Sequence, residues 1–142
     1  MLNVLLVEDT KIDLLTFTKA ISQLKDFNIK LDIAGTAEEA LSMIQAGPRY
    51  DLVVTDYVLP GMNGKEFANM LKQRGREQFE LFYYTGDPDV VGRKRCIPKP
   101  AKPEHIRVAL EAVQTVQAWR KNPVAAQRAL LAALAVTAPV AC

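Results

Sequence analysis

The chain predicts an α/β protein built on a parallel sheet, and three observations carry that reading. Short apolar runs alternate with segments of helical periodicity, the pattern of repeated βαβ units with right-handed crossovers. The run Asp51-Leu52-Val53-Val54-Thr55-Asp56 closes on a carboxylate and breaks at once into Leu59-Pro60-Gly61-Met62-Asn63-Gly64. Two other runs also end in charge: Leu2 to Val7 in Glu8-Asp9, and the last short one in Pro98-Lys99-Pro100. Charged residues at the carboxyl ends of parallel strands share one edge of the sheet, where ligands bind in open α/β folds.

Each element has a local reason. Leu2 to Val7 reads as a buried strand. Lys11 to Lys25 reads as a helix with Leu14, Phe17, Ile21 and Leu24 on one face. Asn28 to Ala34 alternates as a strand does. Thr36 caps the next helix, with Glu39 as the reciprocal partner of a capping box. That helix buries Ala37, Ala40, Leu41 and Ile44 and stops at Gly47-Pro48. Leu52 to Thr55 is the central strand. Asn63 or Gly64 opens a helix with Phe67, Met70 and Leu71 inward. Phe79 to Tyr84 and Arg95 to Pro98 are the remaining strands. Pro103 suits the first turn of a helix carrying Ile106, Ala109, Leu110, Val113 and Val116 inward. Asn122-Pro123 breaks that helix, and Val124 to Val136 forms an Ala/Leu-rich helix with Leu130, Leu131 and Leu134 along one side. Too few residues separate Thr85 from Lys99 for a full helix plus a strand, so a loop or single turn is expected in place of a crossover helix. Domain boundaries are expected at 1–120 and 121–142, the second a helical tail.

Length and composition exclude several classes. At 142 residues the chain is one domain by length. It is 49% hydrophobic and 24% charged, the make-up of an ordinary globular protein. A net charge of +2 argues neither for nor against nucleic acid, and no direct DNA binding is expected. No segment is long and apolar enough to span a bilayer, and the first apolar stretch is too short for a signal peptide. Cys96 and Cys142 form no disulfide framework; Cys96 reads as a small core residue. The expected compartment is the cytoplasm, with no membrane partner.

The chemistry concentrates on Glu8, Asp9, Asp56 and Lys99. Three clustered carboxylates repel unless a cation is present. Acids beside a lysine at one sheet edge suit a hard divalent cation and a phosphoryl group together. His105 reads as a first-turn surface residue, Tyr83 and Tyr84 as strand core, and Trp119 as cover over the junction of the last two helices.

These motifs resemble the receiver domain of bacterial two-component response regulators. The resemblance spans about Met1 to Arg120 and rests on four features in order. They are Glu8-Asp9, the loop from Asp56 through Tyr57-Val58-Leu59-Pro60-Gly61-Met62-Asn63-Gly64, Thr85-Gly86, and Lys99-Pro100. It implies a flavodoxin-like doubly wound sheet of five parallel strands, order 2-1-3-4-5, the order known for members of this family. It also implies that Asp56 accepts a phosphoryl group, with Mg²⁺ held by Asp9, Asp56, Glu8 through water, and the Val58 backbone carbonyl. Lys99 and the Thr85 hydroxyl would each meet a phosphoryl oxygen. The chain departs from the family where a switch aromatic usually stands three residues before the lysine; here that residue is Cys96. Phe82-Tyr83-Tyr84-Thr85-Gly86 looks loosely like a subgroup with a Phe-Ala-Thr-Gly motif and a disordered fourth-helix region.

The function expected is therefore that of a phospho-accepting signalling module rather than an enzyme. Its partner would be a histidine kinase or a histidine phosphotransfer protein, and a homodimer through the tail or the preceding helix is a further expectation. Two other readings share parts of the pattern. A pseudo-receiver would bind without turning over phosphate. A phosphatase of the haloacid dehalogenase type would need an acid two residues after its nucleophile, where this chain has Val58.

Overall fold

The protein is described by a computed structural model covering residues 1–73, 79–87, 89 and 95–137. The order is β1 (Leu2–Val7), α1 (Lys11–Ser22), β2 (Ile29–Ala34), α2 (Ala37–Ala46), β3 (Leu52–Asp56), β4 (Val58–Leu59), β5 (Met62–Asn63), α3 (Gly64–Gln73), β6 (Glu80–Thr85), β7 (Cys96–Pro98), α4 (Pro103–Lys121) and α5 (Pro123–Thr137). Five strands form one sheet in the order β2-β1-β3-β6-β7, and all its pairings are parallel. In the numbering of the sheet alone this is 2-1-3-4-5, the doubly wound order expected. The chain divides into two compact units between Leu110 and Glu111.

Register decides what faces what. Leu6 lies beside Val54, Val54 beside Phe82, and Tyr84 between Asp56 and Ile97. Strand side chains alternate between faces, so Leu6, Val54, Asp56, Tyr84 and Ile97 share one face and Val7, Thr55, Tyr83 and Cys96 the other. On the first face Phe17 of α1 meets Tyr84 edge to face at 5.3 Å. The second face holds a core of Leu5, Val7 and Val53 with Ala40, Leu41 and Ile44 of α2 and Phe67 and Leu71 of α3. β1 and β3, in the middle of the sheet, are almost wholly buried.

Helix ends follow their side chains. Thr36 accepts from the Glu39 N–H at 3.1 Å, as a capping residue should, but Glu39 returns its bond to the Gly35 N–H at 3.0 Å, one residue before the cap. Asn63 caps α3 by accepting from the Glu66 N–H at 2.8 Å, and Asn122 caps α5 by accepting from the Ala125 N–H at 3.0 Å. α1 stops at Ser22, short of Lys25, because the Gln23 and Leu24 N–H groups bond to Ala20 and Ile21 and tighten the last turn.

The loop after Asp56 holds an element that sequence periodicity did not reveal. β4 and β5 pair antiparallel, Val58 with Asn63 and Leu59 with Met62, around Pro60-Gly61. Gly61 has φ +74°, the left-handed conformation that the third position of a type II turn requires. Gly64 is constrained differently. A Cβ there would lie 2.7 Å from the Asp56 carbonyl oxygen and 3.0 Å from the Tyr57 Cα, both backbone atoms that cannot swing away.

The extra C-terminal helix forms as the sequence implied, and among its residues Val124, Leu130, Leu131 and Leu134 are exposed. Trp119 is exposed too. Cys96 is half-buried rather than core. The expected shortening or disorder of the fourth helix falls mainly on residue 88 and residues 90–94, which lie outside the described residues.

Candidate functional site

The site sits at the carboxyl ends of β1, β3 and β7. Parallel pairing brings these ends level: Val7 is beside Thr55, Asp56 beside Tyr84, and Thr85 beside Pro98. The backbone continues the ladder past the strands, with Glu8 N–H donating to Ala34 and Lys99 N–H donating to Thr85, each at 3.0 Å. Glu8 follows Leu6 by two residues and Lys99 follows Ile97 by two, so both continue the face that carries Asp56.

The charged groups meet there. The Lys99 ammonium lies 2.9 Å from Glu8 Oε2, 3.1 Å from Asp13 Oδ2 and 3.3 Å from Asp56 Oδ1. It also stands 4.9 Å above the Tyr84 ring, a cation–π distance. Glu8 is fully buried and Asp56 nearly so. Glu8 also accepts from the Thr10 N–H at 3.0 Å, and Asp56 Oδ1 accepts from the Val58 N–H at a long 3.4 Å. Asp9 is exposed. One carboxylate oxygen from each of Glu8, Asp9 and Asp56 lies within 4.8 Å of the others. An all-oxygen set of three acids can hold a hard divalent cation.

The electrostatics follow from burial and pairing. Burial pushes the Glu8 carboxyl up, against the bonds from Lys99 and Thr10, and the Asp56 charge adds to the rise. Burial alone would lower the Lys99 pKa; bonds to Glu8 and Asp13 and the charge of Asp56 outweigh it, and the ammonium is held above its ordinary range. Lys99 is therefore a permanent cation at the floor of the site.

Glu8, Asp9, Asp56 and Lys99 come together as the sequence implied. The Thr85 hydroxyl is buried at the end of β6 and accepts from the Asp87 N–H at 3.1 Å; alternation places it on the opposite face from Lys99. The Val58 side chain is exposed. Two residues were missed. Asp13 read only as part of a helix, although it stands one helical turn after Asp9 and so can reach back to the sheet edge. Tyr84 read as plain strand core, yet its hydroxyl donates to the Asp13 carbonyl at 3.2 Å while its ring supports Lys99.

Tyr84 gives the site a signature at high pH. Burial and the Asp13 charge push its phenol from 10 up to about 12, against Lys99. The folded state favours the neutral phenol, so this stabilisation is complete below pH 10 and is lost as pH rises through about 12. A rise of that size corresponds to roughly 3 kcal/mol. Tyr84→Phe should flatten the fall in unfolding free energy across that window relative to wild type. Parallel curves for the two proteins would show that the Tyr84 hydroxyl is not responsible.

A doubly wound parallel sheet with carboxylates and a lysine at its carboxyl edge defines the chain as a flavodoxin-like α/β protein. A family model described as the response regulator receiver domain matches residues 4–111, and the chain belongs to that family. It is 25% identical over 104 residues to the two-component response regulator ORR42 of rice, covering 69% of this chain and 76% of that protein. It is 40% identical over 73 residues to the aerobic respiration control sensor protein ArcB of Escherichia coli, covering 51% of this chain but only 9% of that one. Among solved structures it superposes on the signal receiver domain of an HD domain-containing protein from Pseudomonas fluorescens with TM-score 0.71. That match has 24% identity and covers 85% of this chain and 93% of that one. The chemotaxis response regulator CheY4 of Vibrio cholerae gives TM-score 0.63 at 25% identity, covering 80% and 98%.

Proposed function

We propose that this chain takes a phosphoryl group from a phosphohistidine onto Asp56 and signals in that state. One observation carries the reading: Asp56 ends a buried strand with its carboxylate beside Lys99 and grouped with the acids Glu8 and Asp9. A carboxylate is a poor nucleophile towards phosphorus because both are anionic. The all-oxygen donor set of Glu8, Asp9 and Asp56 suits Mg²⁺; on this reading the Val58 carbonyl would be a fourth protein donor, and the ion would supply the charge that offsets this repulsion. Glu8 is already bonded to Lys99 and Thr10, which suits a contact through water rather than a direct one.

The chain's own groups supply the rest. An Asp56 oxygen attacks the phosphorus of the phosphoimidazole. The P–O bond forms as the P–N bond breaks, and the imidazole nitrogen leaves with the electron pair and takes up a proton. Lys99 meets one phosphoryl oxygen as a point charge, and the Thr85 hydroxyl turns from Asp87 to another. On this reading the donor is a histidine kinase or histidine phosphotransfer protein in the cytoplasm, and the chain is an acceptor rather than an enzyme. On the same reading residues 1–120 are the receiver and 121–142 an appended tail, and the exposed leucines of α5 suit a second copy of the chain.

Incubation with acetyl phosphate and Mg²⁺, followed by intact mass, tests this. The expected product is a protein carrying one added phosphoryl group. Continuous consumption of donor would favour a phosphatase, and no adduct would favour a module that only binds.

A further inference from the structure

Lys99 is fully subscribed. An ammonium has three N–H donors, and three carboxylates stand around this one. Glu8 at 2.9 Å and Asp13 at 3.1 Å hold it more closely than Asp56 does at 3.3 Å. Asp13 differs from the other two partners. It does not belong to the group of acids whose oxygens converge on a cation position. It sits on α1, and its main chain is tied to the sheet by the Tyr84 hydroxyl, whose ring also carries the ammonium. The contact therefore has a fixed support on both sides.

We propose that Asp13 is a positioning residue that holds Lys99 back from Asp56, so that the resting protein grips a phosphoryl group less tightly than it otherwise would. The inference rests on the reading of Asp56 as the acceptor. To grip an oxygen of a group on Asp56, the ammonium must move towards Asp56 and loosen one of its closer partners. Glu8 is fully buried and held in place by the Thr10 N–H, so weakening its contact with the ammonium is the costlier exchange. The Asp13 side chain is 25% exposed, so water replaces the lysine there at lower cost. The exchange therefore falls on Asp13, and the strength of that contact opposes the grip.

The test uses beryllofluoride, a phosphoryl mimic, with saturating Mg²⁺, and measures its affinity by calorimetry. Asp13→Asn should bind it roughly fivefold more tightly than wild type, the size of one partly exposed ion pair. Asp13→Glu should return towards the wild-type value. In a Lys99→Gln background the gain from Asp13→Asn should vanish, since no ammonium is left to release. Unchanged or weaker binding by Asp13→Asn would overturn the proposal, as would an equal gain without Lys99. If wild type and variants alike fail to bind the mimic, the acceptor reading itself fails and takes this inference with it.

Discussion

Asp56→Asn should remain folded and take up no phosphoryl group from acetyl phosphate or a phosphohistidine donor. The amide has nearly the shape of the carboxylate, so β3 and the packing around it survive. What disappears is the nucleophile, and with it the covalent product; labelling should fall by more than about a thousandfold. Stability should change little, because two effects oppose. The variant loses the 3.3 Å contact with Lys99 but is relieved of repulsion from buried Glu8. Intact mass after acetyl phosphate treatment reads the outcome, with circular dichroism as the check on folding. Labelling at the wild-type level would place the acceptor elsewhere.

Asp9→Ala should cost the protein its response to Mg²⁺. Of the three acids, Glu8 is occupied by Lys99 and the Thr10 N–H, and Asp56 by Lys99. Asp9 is the exposed member of the group, with the most to offer an incoming cation. Mg²⁺ keeps several waters and draws on few protein oxygens, so losing one direct ligand should weaken binding by more than about tenfold. A ligand that binds only the folded state raises its stability by RT ln(1 + [L]/Kd). Mg²⁺ should thus raise the unfolding midpoint of wild type and leave that of Asp9→Ala nearly unmoved. An equal rise in both proteins would remove Asp9 from the ligand set.

Much of the fold was legible because its determinants are local and periodic. β1 and β3 are apolar runs bounded by charge, and α2 carries both its cap and its stop. The gathering of Glu8, Asp9, Asp56 and Lys99 was legible for a topological reason: parallel strands deliver their carboxyl ends to one edge. Three things lay outside such reasoning. The strands β4 and β5 are each only two residues long and leave no period to detect. Asp13 becomes a partner of Lys99 only through the packing of α1 on the sheet, which spans most of the sequence. Likewise, an alternating pattern can propose that a tyrosine is buried without saying that its hydroxyl and ring serve two different neighbours.

The bare backbone at Gly64 has a mechanical consequence. The first residue of α3 rests on the peptide of Asp56 itself, with its N–H donating to the Tyr57 carbonyl at 2.6 Å and no room for even a methyl group. Side chains can absorb a small displacement by changing rotamer; two main chains in contact cannot. The start of α3 therefore behaves as a stiff follower of the Asp56 backbone. A shift of that peptide would have to be taken up by the first turn of α3.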